Sequence, residues 1–476
     1  MIARRIAKGR AGTLPETGEL AAVEAIDRTG LIVTSEGAFV RILRVTPPNP
    51  LLMSATEREK TAAAFGRLVS QLGAEETLQF YIDARPVNLG ELLAGCRREV
   101  QACAGPAPAS GQSARDPLAL ARWRLYAAME ESLRLHADDQ AAIEVCAYVV
   151  VPFLPRQSVA RAALAWAQRR RLATAPLERP LQAHRRAVRE HLAHVDALRS
   201  ELEGEGMPTA LLDGEEVVRL LWARFNPTKA DTSRRAPSAA VELLGELDAP
   251  SDRDAARQAA MRLREQIAQS SLDFSASHQH VVVDHDVEQT ILVANTAGRT
   301  QMGWLHGAML TRQPFTLSVF VHGLERRRER QRLKLAYRRL HTINRGAEQR
   351  GRVPDFDRYV QEREYQELLG EMASGETSNL FRVSIYQTLR ARGPDPNVAA
   401  LTEAVDFCAE SIESAGDCKV GRGEFRQHEL WASSLPLLLE KLAATHLAVP
   451  GGLDRLGAEV DSLGQRREVR LRAACP

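Results

Sequence analysis

The residues best equipped for chemistry lie between positions 278 and 286, where His278, His280, Asp284, His285 and Asp286 bring metal-type ligands together. Alternate residues of a strand face the same way, so His278 could cooperate with His280, and Asp284 with Asp286. The same run reads more simply as a strand edge followed by a turn, since Asp-His-Asp is ordinary turn composition. A second pair, His191 and His194, is spaced to share one face of a helix, and no third ligand accompanies it. Phosphate binding needs a glycine-rich loop running into Lys and then Ser or Thr. None of the six lysines (8, 60, 229, 334, 419 and 441) follows a glycine. Lys419 lies between Gly416 and Gly421, but Asp417 is acidic and no hydroxyl follows the lysine. There is no G-x-S-x-G elbow and no H-E-x-x-H. No catalytic residue, cofactor or metal site is therefore expected.

The strongest interaction signal is a run of arginines, Arg326, Arg327, Arg328, Arg330, Arg338 and Arg339, with Arg332 and Lys334 among them. They spread around much of a long helical stretch, with Glu325 and Glu329 interleaved. Such a helix is either a solvated face carrying i,i+4 pairs or a docking surface for an acidic partner or acidic lipid. No helix-turn-helix or zinc pattern accompanies it, which argues against a reader of DNA sequence.

A chain of 476 residues holds roughly two to four units of ~100–200 residues. Apolar residues at 44% and charged residues at 26% are ordinary for a globular chain, and a net charge of +2 provides no global field for nucleic acid or membrane. The six cysteines (96, 103, 146, 408, 418 and 475) are dispersed and form no C-x-x-C, which favours a reducing compartment. No window approaches ~18 apolar residues, and Met1–Arg10 is basic without an apolar stretch behind it, so neither a spanning helix nor a signal peptide is expected. Dominance of arginine over lysine carries no functional inference.

Residues 20–45 read as short strands with tight turns, closed by prolines 47, 48 and 50. Ser54 and Glu57 form a capping-box signature for a helix reaching Leu72, and TLQFYIDA (77–84) is a strand. A helix follows from Asn88, and AGPAPASGQSARDP reads as a surface loop. Leu118–His136 is helical, and AIEVCAYVVVPF (142–153) reads as a central strand. Residues 156–202 are mostly helix and include Arg169, Arg170 and Arg171. Asp213–Phe225 is a helix stopped by Asn226-Pro227, and 234–258 is a linker or insertion. Strand pattern returns with HVVVDHD, QTILVANTAG and PFTLSVFVHGL; helices follow over 324–350 and 355–370. From Asn379, alternation sets Phe381, Val383, Ile385 and Leu389 on one register, with Arg382, Ser384 and Gln387 assigned to the other. Asn397 caps the next helix, in which Leu401, Val405, Cys408 and Ile412 form the apolar face. A short strand then leads through Trp431 to Ser433-Ser434-Leu435-Pro436.

The order of these motifs resembles the N-terminal region of the large conjugation ATPases of type IV secretion systems, the VirB, TrbE, CagE and TraC type. The residues that carry the likeness are AFVRILRV through PPNPLLMS, the Asn226-Pro227 stop, Gly303-Trp304-Leu305, NLFRVSIY, and the exit from Gln427 through Trp431 to Leu437. It implies an α+β fold of two or three mixed sheet-and-helix units with no RecA-like motor domain. The units expected are 1–103, a helix-rich 104–233, a linker or insertion 234–278, an α+β unit 279–439 and a tail 440–476. It implies a non-catalytic docking or scaffold module that is naturally motor-less, truncated, or half of a split ATPase acting with a separately encoded motor. Inner-membrane secretion and conjugation subunits are the implied partners, with acidic lipid as a further one and room for a homo-oligomer. The implied place is the cytoplasm, peripheral to the inner face of the cell membrane. A nucleic-acid-binding module using the 326–339 helix is the remaining alternative.

Overall fold

A computed structural model describes residues 20–34, 38–48, 53–70, 72–74, 76–87, 89–106, 116–139, 143–153, 178–232, 237–244, 261–295, 303–351, 356–374, 381–416 and 418–437. The start 1–10, Arg169–Arg171, most of the 234–258 insertion and the tail 440–476 lie outside them.

The chain is an α+β fold around one antiparallel sheet. Its first half runs β1 (Val23–Ile26), β2 (Ile32–Thr34), β3 (Phe39–Val45), α1 (Ala55–Ser70), β4 (Thr77–Pro86), α2 (Leu89–Ala104), α3 (Pro117–Asp139), β5 (Ile143–Phe153), α4 (Glu178–Gly204), β6 (Thr209–Leu211) and α5 (Gly214–Phe225). Short helices α6 (Pro227–Thr232) and α7 (Ser238–Val241) follow. The second half runs β7 (Leu272–Asp273), β8 (Val281–Val283), β9 (Asp286–Asn295), α8 (His306–Met309), β10 (Phe315–Gly323), α9 (Arg326–Gln349), α10 (Phe356–Ser374), β11 (Phe381–Ala391), α11 (Val398–Gly416), β12 (Lys419–Gly421) and α12 (Gln427–Ser433). Strand order is β1-β2-β3-β5-β4-β10-β11-β9-β8-β7, with β6 added to β3 and β12 to β9. The seam between the halves is β4 against β10, with Phe80 opposite Val319.

The capping signals act as the sequence suggests. Ser54 and Glu57 bond reciprocally at the start of α1, and Asp213 and Glu216 do so at α5. Asn397 Oδ1 accepts the Ala400 amide at 2.9 Å at the start of α11. Within 234–258, read as a linker, Ser238–Val241 closes a helical turn because Ala240 is buried in the main core.

Each half of the sheet has one face under helices whose apolar stripes match it. Leu68 and Val69 of α1 and Val195, Leu198 and Leu202 of α4 pack on Leu43, Leu78 and Val149. Leu401, Val405, Cys408 and Ile412 of α11 pack on Phe315, Leu317, Ile385 and Leu389. Phe381, Ile385 and Trp431 are buried, as the alternation and the exit motif require, and Val383 is half-buried. Gln387 is a correction. It shares the parity of Phe381 and Ile385, so it lies on that apolar face and not with Arg382 and Ser384. There its amide is accommodated by donating to the Ala308 carbonyl at 2.9 Å.

The opposite face holds α5 and α12 over a more polar surface that includes Gln79, Tyr81, Ser318, Tyr386 and Thr388, all buried. The end of the sheet is covered too. Leu263 and Ile267 join Val23 and Ile26 in one core cluster, and Arg264 Nε donates to the Val23 carbonyl. Covering an edge strand removes a template for aggregation. Among the described residues no helix is long and apolar enough to cross a membrane.

Candidate functional site

Helix α9 owes its orientation to a narrow inward stripe. Glu329, Leu333, Ala336, Leu340 and Asn344, at steps of four, three, four and four, are its buried positions. They meet Tyr365, Leu368 and Met372 of α10, forming a cluster of their own beyond the end of β10. Polar contacts fix the pair: Arg326 Nη2 donates to the Met372 carbonyl at 2.9 Å, Asn344 Nδ2 donates to Glu362 Oε2 at 2.6 Å, and His341 Nδ1 lies 2.7 Å from Glu362 Oε1.

At 100° per residue, the remaining arc of α9 is wide, and the arginines fill it. Arg326, Arg327, Arg328, Arg338 and Arg339 are exposed and Arg330 is half-buried. Nine Lys or Arg side chains on the helix face only two acidic ones, Glu329 and Glu348. Glu329 is turned inward and takes Arg332 at 3.5 Å. Leu335 sits on the same outer arc, 67% exposed. The sequence spreads these charges around the helix; packing against α10 gathers them onto one broad basic surface.

The family-like exit is a different kind of element, a buried clamp. Gln427 Nε2 donates to the Thr290 carbonyl at 3.1 Å while its Oε1 accepts the Thr290 amide at 3.0 Å. Gln79 of β4 donates to the Leu435 carbonyl at 2.8 Å, and Ser318 of β10 donates to the Ser434 carbonyl at 2.9 Å. The exit is therefore bonded to both strands of the seam. Beside it Arg224 of α5 pairs with Glu288 of β9 at 2.9 Å, stacks on Trp431 with 4.6 Å to the ring centre, and donates to Ser434 Oγ at 3.1 Å. Trp431 Nε1 donates to the same Glu288 carboxylate. Neighbouring Arg390 lies 3.5 Å from Asp286, whose carboxyl is pushed up by burial against the pull of that guanidinium. Asp83 and Arg85 form a further pair in the same cleft, which Ala223, Pro227 and Pro314 help to line. Three cations face three carboxylates here, so the cluster is balanced and favours no anionic or cationic ligand.

The other candidates are engaged with partners of their own. His278 stacks on Phe425 at 5.1 Å, His280 Nδ1 lies 3.2 Å from Ser277 Oγ, and Asp284 is the left-handed turn residue (φ 53°) accepting the Ser271 amide at 2.8 Å. Asp286 accepts the Gly393 amide at 3.0 Å. His191 is buried against Phe153, and burial first, then Arg41 and His194, lowers its pKa to about 3. Lys419 lies in β12, exposed at the edge of β9 and distant in kind from a phosphate loop. Among the described residues no three His, Cys, Asp or Glu side chains group so as to hold a metal ion.

Sequence reasoning did not single out Arg224, Glu288, Gln79 or Ser318. The available signal is charge or amide inside an apolar run, as in LLWARF and DVEQTILV, which marks a buried polar contact without naming its partner.

Residues 24–226 match the family model of the archaeal TraC-like domain. That span opens in β1 and closes at the Asn226 stop of α5. No curated protein matches the chain.

Proposed function

We propose, from the match of residues 24–226 to the archaeal TraC-like domain and the likeness to the N-terminal region of the conjugation ATPases, that the chain works by docking, with the basic arc of α9 as its contact to an acidic membrane surface. The observation that carries this reading is the pairing of α9 with α10. The hairpin satisfies its apolar stripe internally, and apart from Arg326, which also bonds to the Met372 carbonyl, and the half-buried Arg330, the arginines of α9 are exposed to solvent. A surface with this many guanidinium groups cannot enter an apolar contact, because burying a lone charge is costly. Each Lys or Arg near an anionic bilayer contributes roughly 1 kcal/mol. The Leu335 side chain amid the arginines suits an interfacial position.

The test is co-sedimentation with phosphatidylglycerol vesicles and with purely zwitterionic ones. Arg326, Arg327, Arg330 and Arg338 replaced together by Gln should weaken binding to the anionic vesicles by on the order of 10²–10³-fold. Binding should also fall as the Debye length shortens from ~10 Å at 0.1 M salt to ~3 Å at 1 M. Equal sedimentation of wild type and variant sinks the lipid reading. Charge-dependent retention by an acidic protein subunit, with no vesicle binding, would assign the surface to a partner instead.

A further inference from the structure

The two halves of the sheet repeat each other. The first half is strand-strand-strand-helix-strand-helix-helix-strand-helix-strand-helix, from β1 to α5, and the second half is the same series from β7 to α12. The pairing repeats as well as the order. β1-β2-β3 and β7-β8-β9 are each antiparallel meanders ending on a long strand. In each half the strand after the helical pair, β5 or β11, inserts between that long strand and the half's second long strand, β4 or β10. The last short strand, β6 or β12, adds to β3 or β9. The sheet therefore reads 1-2-3-5-4 and then its mirror order, 10-11-9-8-7.

Two identical units meeting edge to edge through antiparallel strands are related by a two-fold axis normal to the sheet, an isologous contact. β4 and β10 meet in that way. Such an axis keeps each sheet face on its own side, and the packing agrees. α4 and α11 cover one face, while α5 and α12 lie together on the other, with Phe225 against Trp431 at 5.6 Å between ring centres.

A trace remains in the sequence. At a constant offset of 209, Gly214, Glu215, Leu221, Trp222, Ala223 and Pro227 recur as Gly423, Glu424, Leu430, Trp431, Ala432 and Pro436. These helices follow β6 and β12 respectively, so the shared residues fall at the same place in each half. In β5 and β11 the spacing V-x-x-Y recurs, as Val145 to Tyr148 and Val383 to Tyr386.

We infer that residues 272–437 are a second copy of the TraC-like unit, and that the surface by which this unit associates is its β4-type edge strand, whose partner is another copy of the same unit. Here the two copies are fused, and each covers the edge that the other would expose. The copies have diverged at the contact: Arg224 of the first has Ser433 as its counterpart in the second, so the ion pair to Glu288 runs in one direction only. The inference also fixes the helical pairs. α2–α3 and α9–α10 leave from β4 and β10, which run oppositely, so the two hairpins project from opposite ends of the sheet.

The experiment uses the full chain with spin labels on non-natural residues at Gln101 and Glu348, both exposed and each near the far end of the first helix of its hairpin. A ten-residue strand spans ~33 Å and a sixteen-residue helix ~24 Å, so opposed hairpins should hold the labels more than ~45 Å apart. A shorter dipolar distance overturns the two-fold arrangement. A crystal structure of the full chain supplies the second readout: superposing β3, β5, β4 and α5 on β9, β11, β10 and α12 should need a rotation near 180°. A different strand order, or a rotation far from that value, overturns the duplication whatever the labels report.

Discussion

Arg224 and Glu288 face each other at 2.9 Å across the two halves of the fold, both side chains almost wholly buried. Nothing in the local sequence pairs them, since the two residues stand sixty-four positions apart. Trp431 and Ser434 complete the site, so this one contact holds both halves and the exit segment.

Removing one partner leaves an unpaired buried charge. Glu288→Gln should cost ~3–5 kcal/mol of unfolding free energy, whereas the double replacement Arg224→Met with Glu288→Met should recover much of it. Urea denaturation reads both. A single variant within ~1 kcal/mol of wild type would mean that the pair is solvated.

Asn226 is fully committed: its amide donates to the carbonyls of Trp222 at 2.7 Å and Ile267 at 2.6 Å, and its Oδ1 accepts from the Gln269 amide and Ser270 Oγ. Asn226→Ala orphans several buried groups at once, each costing ~1–3 kcal/mol. A loss above ~2 kcal/mol is expected, with faster hydrogen exchange at 267–270. Unchanged exchange there would show that the Asn226 bonds do not tie that segment to α5.

His191 gives a pH dependence. Burial holds its folded pKa at about 3, against 6.5 for the unconstrained side chain, so below pH 6.5 the unfolded chain takes up a proton that the folded chain refuses. Its contribution is present in full above pH 6.5 and is lost as pH falls toward 3. Between pH 7 and pH 5 this amounts to roughly 2 kcal/mol. His191→Phe should flatten that part of the stability profile, and parallel profiles for the two proteins would refute the assignment.

Phe381 is 5% exposed where β11 meets Val321 and α1. Phe381→Ala should lose ~3–5 kcal/mol, read as a shift of the denaturation midpoint. A loss below ~1 kcal/mol would place the ring outside the core.

The amino-acid sequence by itself determined the elements, because strand alternation, capping boxes and Asn-Pro or Gly stops act over a few residues. Phe381, Ile385 and Trp431 were legible as core, and residues 326–350 as a helix rich in arginine, on that ground alone. The family likeness was legible too over residues 24–226, since its motifs there are local and fall in order. The face of Gln387 follows from parity along β11, which the sequence carries; the Ala308 carbonyl that receives its amide there is supplied by a distant segment. What the tertiary structure alone decided is what distant segments do to one another. It joined β4 to β10, set Arg224 against Glu288, and turned the stripe of α9 toward α10 so that the arginines lie on its outer arc. Strand pairing and buried ion pairs are contacts between residues far apart in the chain, and side-chain pattern specifies which face is buried without specifying against what.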